Sequence, residues 1–559
     1  MTWLIDALRH HPELALFLTL AIGYTVGRIR IAGFTLGAVT GVLIAGVLIG
    51  QIGVTLSGDL KTAFFLLFLF AIGYKTGPQF FSGLKASGLQ QIGLTILLCG
   101  TGLAVSYAVA RSFGLDVGTA AGLLAGALTE SATIGTAGDM IGKLSLDEAA
   151  RQQLVSNSAV AFAVTYFLGV IITVTFLSRI APRLLGGNLA EQCKQLEKEM
   201  GLEEASEERS SAYSEFTARA YRVPENCVYR TVADLERSFL PLRVFVHRLR
   251  RHDNVLEPEP DLRLDAGDVV ALYGRRSVLV GAGTPLAQHE TEDRDLLEFP
   301  TATLDVVVTN KEIAGKSLGE LADGGKARGA FLMKLFRNEQ EVPFTRETVI
   351  ARGDVVRITG MRDSVEQVAA RVGYIDRPTA TTDMTAVGLA IVIGGLLGLL
   401  ALHVGKLEIG LSMSVGALLG GLVLGWLRSV DRRFARIPEP ALWFFDSVGL
   451  TGFLAAVGLA AGPDFVKGLQ QSGVTLVLAC FVVTIVPHLV TLLVGRYVLK
   501  VHPGVLLGIC AGAGTSAPAL AAIQDVARSK IPTLGYGVTY AVGNVLLAFW
   551  GTVIVLLMT

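Results

Sequence analysis

One lysine and two short polar segments are the residues of this chain best suited to binding a small anion. Lys75 lies in an apolar run, where a cation is costly and by default functional. Two other apolar runs are interrupted by Thr129, Glu130, Ser131 and Thr133 and by Gly514, Thr515, Ser516 and Pro518. Hydroxyls and free N–H groups at helix N-termini hold carboxylates. The pattern predicts a carboxylate site, unless these hydroxyls only bond their own helices.

The charged residues of this set have more than one interpretation. Lys75 pairs with a substrate carboxylate or acts in gating, or else its side chain reaches the membrane surface from a helix end. Glu130 couples protons or a cation, or repels a substrate of the wrong charge. Asp139 and Asp525, near the two polar segments, are expected at interfacial helix ends, because charged or polar residues follow each.

A glycine–proline block occurs twice. Gly73–Phe80 (GYKTGPQF) and Gly458–Phe465 (GLAAGPDF) are separated by 385 residues. Glycine frees the backbone and proline removes a donor, so both blocks predict a helix interrupted at membrane depth. Matching breaks in two halves point to a transporter's binding site, which places Gly77 and Pro78 in it. Ala460 stands where Lys75 stands in the first block, so symmetry does not require the lysine.

Composition indicates a membrane protein. The 559 residues are 51% hydrophobic and 17% charged, with a mean hydropathy of +0.54. The formal net charge is zero, so nothing suggests a nucleic-acid partner. The five cysteines are scattered without a CxxC pair, which predicts neither a disulfide framework nor a zinc site. No motif for a cofactor or a catalytic centre is recognised. The N-terminus lacks the features of a signal peptide, so we expect the first span to be retained.

Apolar segments are arranged as two repeated halves around a charged middle. Six are predicted near 13–29, 33–53, 62–81, 90–111, 118–142 and 154–178, and six near 384–402, 407–427, 442–465, 474–499, 503–526 and 533–557. Glycines of 41–50 recur at 416–425, and 125–129 (AGALT) recurs as 511–515 (AGAGT). Three ordered blocks indicate a true repeat, with membrane halves 1–183 and 379–559.

Loop charge favours inverted repeats. Arg28 and Arg30 follow the first segment, whereas Arg428–Arg436 follows the eighth, so these two basic loops are expected in the cytoplasm. An odd number of spans must then precede the cytoplasmic middle. The fifth segment is the best candidate for a re-entrant one, because Thr129–Thr133 is too polar for lipid contact. Six full spans per half in parallel repeats are the alternative.

The middle contains two copies of one small domain. A charged linker is expected at 184–206, followed by copies at 207–292 and 293–378. Gly267-Asp268-Val269-Val270 recurs 86 residues later as Gly353-Asp354-Val355-Val356. Each copy predicts a strand, a short helix near Leu235 or Leu321, a strand, and a tight turn into a valine-rich strand.

In order and architecture, essentially the whole chain resembles the aspartate:alanine exchanger family of bacterial secondary transporters. The most specific motifs are Gly73–Phe81, the Gly-Asp-Val-Val turns and Ala511–Leu520 (AGAGTSAPAL). The middle copies resemble the C-terminal ligand-binding half of regulator-of-potassium-conductance (RCK) domains. The two halves differ at two of these positions. Glu130 occupies the position that Ser516 has in the second half, and the first half has no proline equivalent to Pro518.

The resemblance implies a polytopic α-helical protein of the bacterial inner membrane, with inverted repeats, re-entrant or broken helices and a soluble α+β cytoplasmic insert. It implies antiport of an amino or organic acid, L-aspartate against L-alanine, without a bound cofactor. We expect small carboxylates and the lipid bilayer as partners, a homodimer, and an unknown small ligand on the insert.

Three other functions are compared with this one. A dicarboxylate exporter for succinate or glutamate is the nearest variant. A channel or potassium transporter gated by RCK domains would require a filter loop like TVGYG, which the sequence does not show. A membrane enzyme would require a nucleophile–base pair or a metal set, and no such constellation is recognised.

The loop charges predict an external N-terminus. A single cysteine placed at Thr2 should react with an impermeant thiol reagent in intact cells. Labelling only after permeabilisation would contradict the inverted orientation.

Overall fold

The computed structural model describes residues 2–559, except residues 32–33, 55, 85–87, 200–215, 226–228, 240–242, 281–285, 324–327, 338–339, 343, 377–380, 405–406, 411 and 432–433. The chain divides into two compact units. One comprises Met1–Glu197 with Pro378–Thr559, and the other comprises Lys198–Arg377.

The first half of the larger unit is helical. In chain order it contains α1 (Thr2–His10), α2 (Pro12–Gly27), β1 (Arg30–Ile31), β2 (Phe34–Thr35), α3 (Gly37–Gly50), α4 (Gly58–Gly83), α5 (Leu89–Ser112), α6 (Val117–Ala127), α7 (Ser131–Ile141), α8 (Glu148–Thr175), α9 (Ala181–Leu185) and α10 (Leu189–Glu199).

The insert contains two five-stranded sheets. Its elements are β3 (Phe216–Arg222), α11 (Val232–Arg237), β4 (Val244–Arg251), β5 (Asn254–Leu256), β6 (Val269–Arg275), α12 (Arg276–Val280), β7 (Glu290–Thr291), α13 (Arg294–Leu297), β8 (Thr301–Val308), α14 (Leu318–Asp323), β9 (Ala330–Arg337), β10 (Gln340–Val342), β11 (Val355–Met361), α15 (Arg362–Val372) and β12 (Gly373–Ile375).

The second half repeats the first. It contains α16 (Met384–Gly398), β13 (Ala401–Val404), β14 (Leu407–Gly410), α17 (Met413–Val430), α18 (Glu439–Trp443), α19 (Gly449–Leu493), α20 (Pro503–Ala513), α21 (Ala517–Ala527) and α22 (Thr533–Met558). Seven helical stretches of the described chain are long and apolar enough to cross a membrane. The protein is therefore a multi-pass membrane protein with a soluble insert.

The fifth and eleventh apolar segments are helical hairpins. α6 and α7 both have their outer ends at the start of α8, because Asn157 donates to Asp116 (3.2 Å) and Arg151 donates to the carbonyl of Gly142 (3.0 Å). In the second half, Gly504 lies against Ile531, and Gln524 donates to Thr533 (2.7 Å). Each pair of short helices enters and returns on one side, so the predicted re-entrant fifth segment is confirmed.

Helix directions show that the two halves are inverted. Gln90, at the start of α5, donates to the carbonyl of Leu499 (3.1 Å), which follows α19. Val105 and Val109, near the end of α5, pack with Ala479 in the middle of α19. The two helices are therefore antiparallel. The repeat aligns α5 with this part of α19, and equivalent helices that run in opposite directions require inverted halves.

Glycines interlock the two halves. Gly73 and Gly77 of α4 lie against the backbone of α17, and Gly458 and Gly462 of α19 lie against the backbone of α3. In each case the helix of the second apolar segment of one half (α3 or α17) packs on the helix of the third apolar segment of the other half (α19 or α4). Small residues permit this close approach, which is the usual means of helix association in membranes.

The predicted helix breaks at the glycine–proline blocks are wrong. α4 continues through Pro78, and α19 continues through Pro463. The glycines instead serve the close contact between halves, and Gly77 and Pro78 are buried within α4. A proline inside a membrane helix is tolerated because neighbouring groups satisfy the freed backbone. The side chain of Asp464, in the second block, lies outside the described residues.

The insert is a duplicated domain, as predicted. Its sheets have the matching strand orders β5-β4-β6-β3-β7 and β10-β9-β11-β8-β12. The repeated aspartates are buried at equivalent turns: Arg251 binds both carboxylate oxygens of Asp268, and Arg337 those of Asp354. Such bidentate pairs fix the turn into the valine-rich strand.

The close packing of these glycines predicts that added side-chain volume lowers the stability of the protein at some positions and not at others. A β-carbon at Gly73 would overlap the carbonyl oxygen of Leu418, whereas one at Gly100 on α5 would meet nothing within 4 Å. We expect Gly73→Ala to lower the free energy of unfolding by about 1–3 kcal/mol, the usual cost of overpacking. Gly100→Ala is the matched control and should be neutral. Equal thermal stability of the two variants in detergent would contradict the interlock.

Candidate functional site

Both hairpin tips have the same strained backbone. Thr129 follows α6 with φ 57°, and Thr515 follows α20 with φ 52°. In each tip the amide two residues after the helix cap bonds back into the last turn, from Glu130 to Ala125 and from Ser516 to Ala511 (2.9 Å each). Glycine normally occupies the left-handed position of this motif. A β-branched residue there is unusual, and such strain clusters at functional sites.

The two tips are hydrogen-bonded to each other reciprocally. The hydroxyl of Thr129 donates to the carbonyl of Gly514 (3.0 Å), and the hydroxyl of Thr515 donates to the carbonyl of Leu128 (3.4 Å). These are equivalent contacts of the two repeats. Freed carbonyl groups at the ends of α6 and α20 are thus satisfied by the opposite half, which irregular backbone at membrane depth requires.

A second matched pair supports the tips from behind. Thr484 of α19 donates to the carbonyl of Ala127 (3.0 Å), and Cys99 of α5 approaches the carbonyl of Ala513 (3.7 Å). Cys99 and Thr484 are 385 residues apart, which is the offset of the repeat. The tips are therefore held by two pairs of contacts, and the two contacts of each pair are equivalent in the repeat.

A cavity of about 200 Å³ lies beside the joined tips. Its lining consists of Phe68, Ile72, Lys75, Thr76, Thr129, Glu130, Ser131, Tyr166, Asp446, Leu450, Thr515, Tyr540 and Asn544. It is smaller than the roughly 300–1,000 Å³ of sites for drug-sized ligands. Its size and its polar groups suit a small polar metabolite.

Lys75 reaches the cavity as one partner of an ion pair. Its Nζ lies 2.5 Å from Oδ2 of Asp446, and the side chains are 41% and 29% exposed. Asp446 is carried by a π-helical turn, Phe444–Val448, that precedes α19. Such turns are rare and are frequent at functional sites. Lys75 is therefore a half-exposed cation that lines the cavity and has a carboxylate partner.

Glu130 is the third charged group of the cavity. It is only 3% exposed, and its Oε1 accepts the amide of Ala132 (2.9 Å) at the start of α7. Among the ion pairs of the described residues, none involves Glu130. Ser516 has the equivalent position at the start of α21. A buried carboxylate that symmetry does not require, and that has no ion-pair partner among the described residues, is suited to receiving a positively charged group.

Three further polar side chains of the lining come from the last long apolar helix of each half. Tyr166 of α8 and Tyr540 of α22 both line the cavity, and Asn544 lies one turn after Tyr540. Tyr166 packs beside Gly126, and Tyr540 beside Gly512, so the two tyrosines are equivalent. The sequence patterns did not identify these tyrosines as site residues, although their spacing of 374 residues, close to the offsets of the repeat, is a signal that could have done so.

The structure brings five of the predicted site residues together at the cavity: Lys75, Thr129, Glu130, Ser131 and Thr515. The other six have different positions. Gly77 and Pro78 are inside α4, Gly514 accepts the bond from Thr129, and Ser516 is buried at the start of α21. Thr133 donates to the carbonyl of Leu547 on α22 (2.8 Å), and Pro518 is exposed in the first turn of α21.

Family comparisons match both parts of the chain. The profile of a predicted permease membrane region, Asp-Al_Ex, matches residues 15–182 and 386–556. The TrkA-C domain, the C-terminal part of RCK domains, matches residues 218–279 and 304–373. The membrane match covers the two inverted halves, and the other covers the two insert copies.

Curated relatives extend over nearly the full chain. An uncharacterized transporter of Shewanella oneidensis is 40% identical over 564 residues, covering 100% of both chains. One from Bradyrhizobium diazoefficiens is 41% identical over 92% of this chain and 100% of its own. One from Bordetella parapertussis is 40% identical over 99% of this chain and 98% of its own. No solved structure matches the chain.

Proposed function

Because this chain belongs to the aspartate-alanine exchanger family of predicted permeases, we propose that it is an antiporter of small carboxylates that exchanges L-aspartate for L-alanine. The observation that carries the proposal is the cavity at the joined hairpin tips, which contains one lysine, two carboxylates and several hydroxyl groups. Groups of both charges in one small space fit an amino acid, which also has both.

The cavity offers a partner for each end of an amino acid. The α-carboxylate would lie at the N-terminus of α7, with the hydroxyl of Ser131 as a donor. The α-ammonium would lie near Glu130, which lines the cavity and has no ion-pair partner among the described residues. The side-chain carboxylate of aspartate would then reach Lys75 across the cavity. Alanine has no such group and would leave Lys75 unused.

Inverted hairpins favour exchange by alternating access. Inverted repeats provide two conformations of similar energy, one open to each side, around a site at the repeat interface. The hydrogen bonds of Thr129 and Thr515 with the opposite tip join the two halves of the membrane unit. A tip contact of this kind supports an occluded carrier site rather than an open ion pathway, which disfavours the channel hypothesis.

The nearest alternative is a dicarboxylate exporter for succinate or glutamate. Succinate would place two negative charges beside Asp446 and Glu130 without an ammonium group to balance them. Like charges in a water-poor site are strongly unfavourable. The acidic lining therefore favours amino acids, and glutamate remains the closest competitor of aspartate.

The insert is proposed to regulate transport through α10. This helix precedes the insert in the chain and packs on the base of the second hairpin: Glu197 accepts from Ser529 (2.5 Å), the carbonyl of Gln192 accepts from His502 (3.2 Å), and Cys193 lies against Gly504. A ligand that moves the insert would act on this hairpin through α10. We also propose a homodimer paired through the inserts, with a complete transport path in each protomer.

The lysine predicts substrate-specific loss. Lys75→Ala should weaken binding of aspartate by about 1–3 kcal/mol, the range for a charge-assisted hydrogen bond, and should weaken alanine binding less. Thr515→Val is the comparison variant and should weaken both, because it removes a hydrogen bond between the tips beside the cavity and no charge. Calorimetry on purified protein measures both affinities. Equal loss, or no loss, in Lys75→Ala would exclude Lys75 from substrate binding.

Regulation by the insert is tested by an in-frame deletion of residues 207–375. We expect exchange rates in proteoliposomes to change, because α10 would no longer receive movement from the insert. Ser529→Ala removes the hydroxyl that donates to Glu197 and accepts from the amide of Ile531, and it should change the rate in the same direction by a smaller amount. Unchanged transport and ligand response after deletion would show that the insert does not regulate.

A further inference from the structure

We propose that Asp446 determines the preference between acidic and neutral substrates, as an internal counter-ion that a substrate carboxylate must displace from Lys75. The inference rests on the proposed function and concerns the same cavity. Asp446 would occupy, in the empty site, the place that the side-chain carboxylate of aspartate occupies in the loaded site.

The geometry of the pair makes substitution possible. The Oδ2 of Asp446 lies 2.5 Å from the Nζ of Lys75, and both side chains line the cavity and keep partial exposure to it. The pair joins two separate elements, α4 and the π-helical turn Phe444–Val448. A carboxylate that arrives in the cavity therefore meets the ammonium group from its open side.

Charge balance makes the two carboxylates competitors. The charged side chains that line the described cavity are Lys75, Asp446 and Glu130, one cation against two anions. A second carboxylate on Lys75 would lie within a few ångströms of Asp446, and like charges that close repel strongly. The substrate therefore binds Lys75 fully only when Asp446 turns away.

Acidic and neutral substrates experience this competition differently. Aspartate must break or share the Lys75–Asp446 pair, and its binding is weakened by that cost. Alanine has no side-chain carboxylate and leaves the pair intact. Asp446 thus lowers the affinity for the acidic substrate selectively, and brings two substrates of different charge closer to equal affinity. An exchanger benefits from such a balance, because each substrate must also be released.

A purely structural role makes a different prediction. If Asp446 only holds the lysine in position, its removal lets Lys75 move, and acidic substrates bind more weakly. The sign of the change in aspartate affinity therefore distinguishes a competitor from a positioning residue.

The test is equilibrium binding of aspartate, succinate and alanine to the purified full-length protein and to Asp446→Asn. We expect the aspartate and succinate dissociation constants to fall about tenfold or more, the effect of one nearby like charge. The alanine constant should change by less than about threefold. Asp525→Asn is the matched control, since Asp525 is exposed and does not line the cavity. It should leave all three constants unchanged.

A double variant links the gain to the lysine. The variant Lys75→Met/Asp446→Asn removes both charges of the pair, so no uncompensated charge is left to destabilise the fold. The gain in aspartate affinity should disappear there, because it depends on Lys75. Melting temperatures of all variants verify that they are folded.

The binding experiment has outcomes that would contradict the proposed role of Asp446. Weaker aspartate binding in Asp446→Asn, an equal gain for alanine, or a gain that persists in the double variant would overturn the proposal. If the wild-type protein binds aspartate but Asp446→Asn does not bind it more tightly, this inference alone fails. If the wild-type protein binds none of the three carboxylates, the proposed function fails, and this inference fails with it.

Discussion

The pair of hydrogen bonds between the hairpin tips is the contact on which the rest of the membrane unit depends. A re-entrant helix ends inside the membrane and leaves carbonyl groups without partners there. Here the hydroxyl of Thr129 donates to a carbonyl of the second hairpin, and the hydroxyl of Thr515 donates to a carbonyl of the first. Neither tip is satisfied without the other, so both halves must fold around a common centre.

The constraint explains how a binding site arises at this point. Helix N-termini, hydroxyl groups and two strained threonines are all placed at the tips by the repeat itself. The charged groups are not symmetric: Glu130 corresponds to Ser516 in the other half, and Lys75 corresponds to Ala460. Symmetry therefore provides the scaffold and the alternation between sides, while the asymmetric charges provide the recognition of substrate.

The sequence predicted the repeat, the re-entrant fifth segment and the duplicated insert, because these features leave local patterns. Thr129–Thr133 is polar within an apolar run, and the Gly-Asp-Val-Val turns recur at a constant offset. The glycine–proline blocks were misread as breaks, since glycine serves close packing as well as flexibility. Only the tertiary contact of Gly73 with α17 decides between these uses.

The ion pair of Lys75 with Asp446 could not be predicted in the same way. The partners are 371 residues apart, and Asp446 appears in the sequence only as one acid within an apolar segment. Thr133 shows the opposite error, because its hydroxyl looked like a ligand and is used by the backbone of α22. Pairings between distant elements depend on the assembled fold rather than on local composition.

Counterflow in proteoliposomes tests whether the cavity at the joined tips is a site of substrate exchange. Labelled aspartate is supplied outside to vesicles loaded with alanine, with aspartate or with buffer alone. We expect rapid uptake into vesicles that contain either amino acid and little uptake into those with buffer. Equal uptake into empty vesicles, or flux of potassium without amino acid, would contradict it.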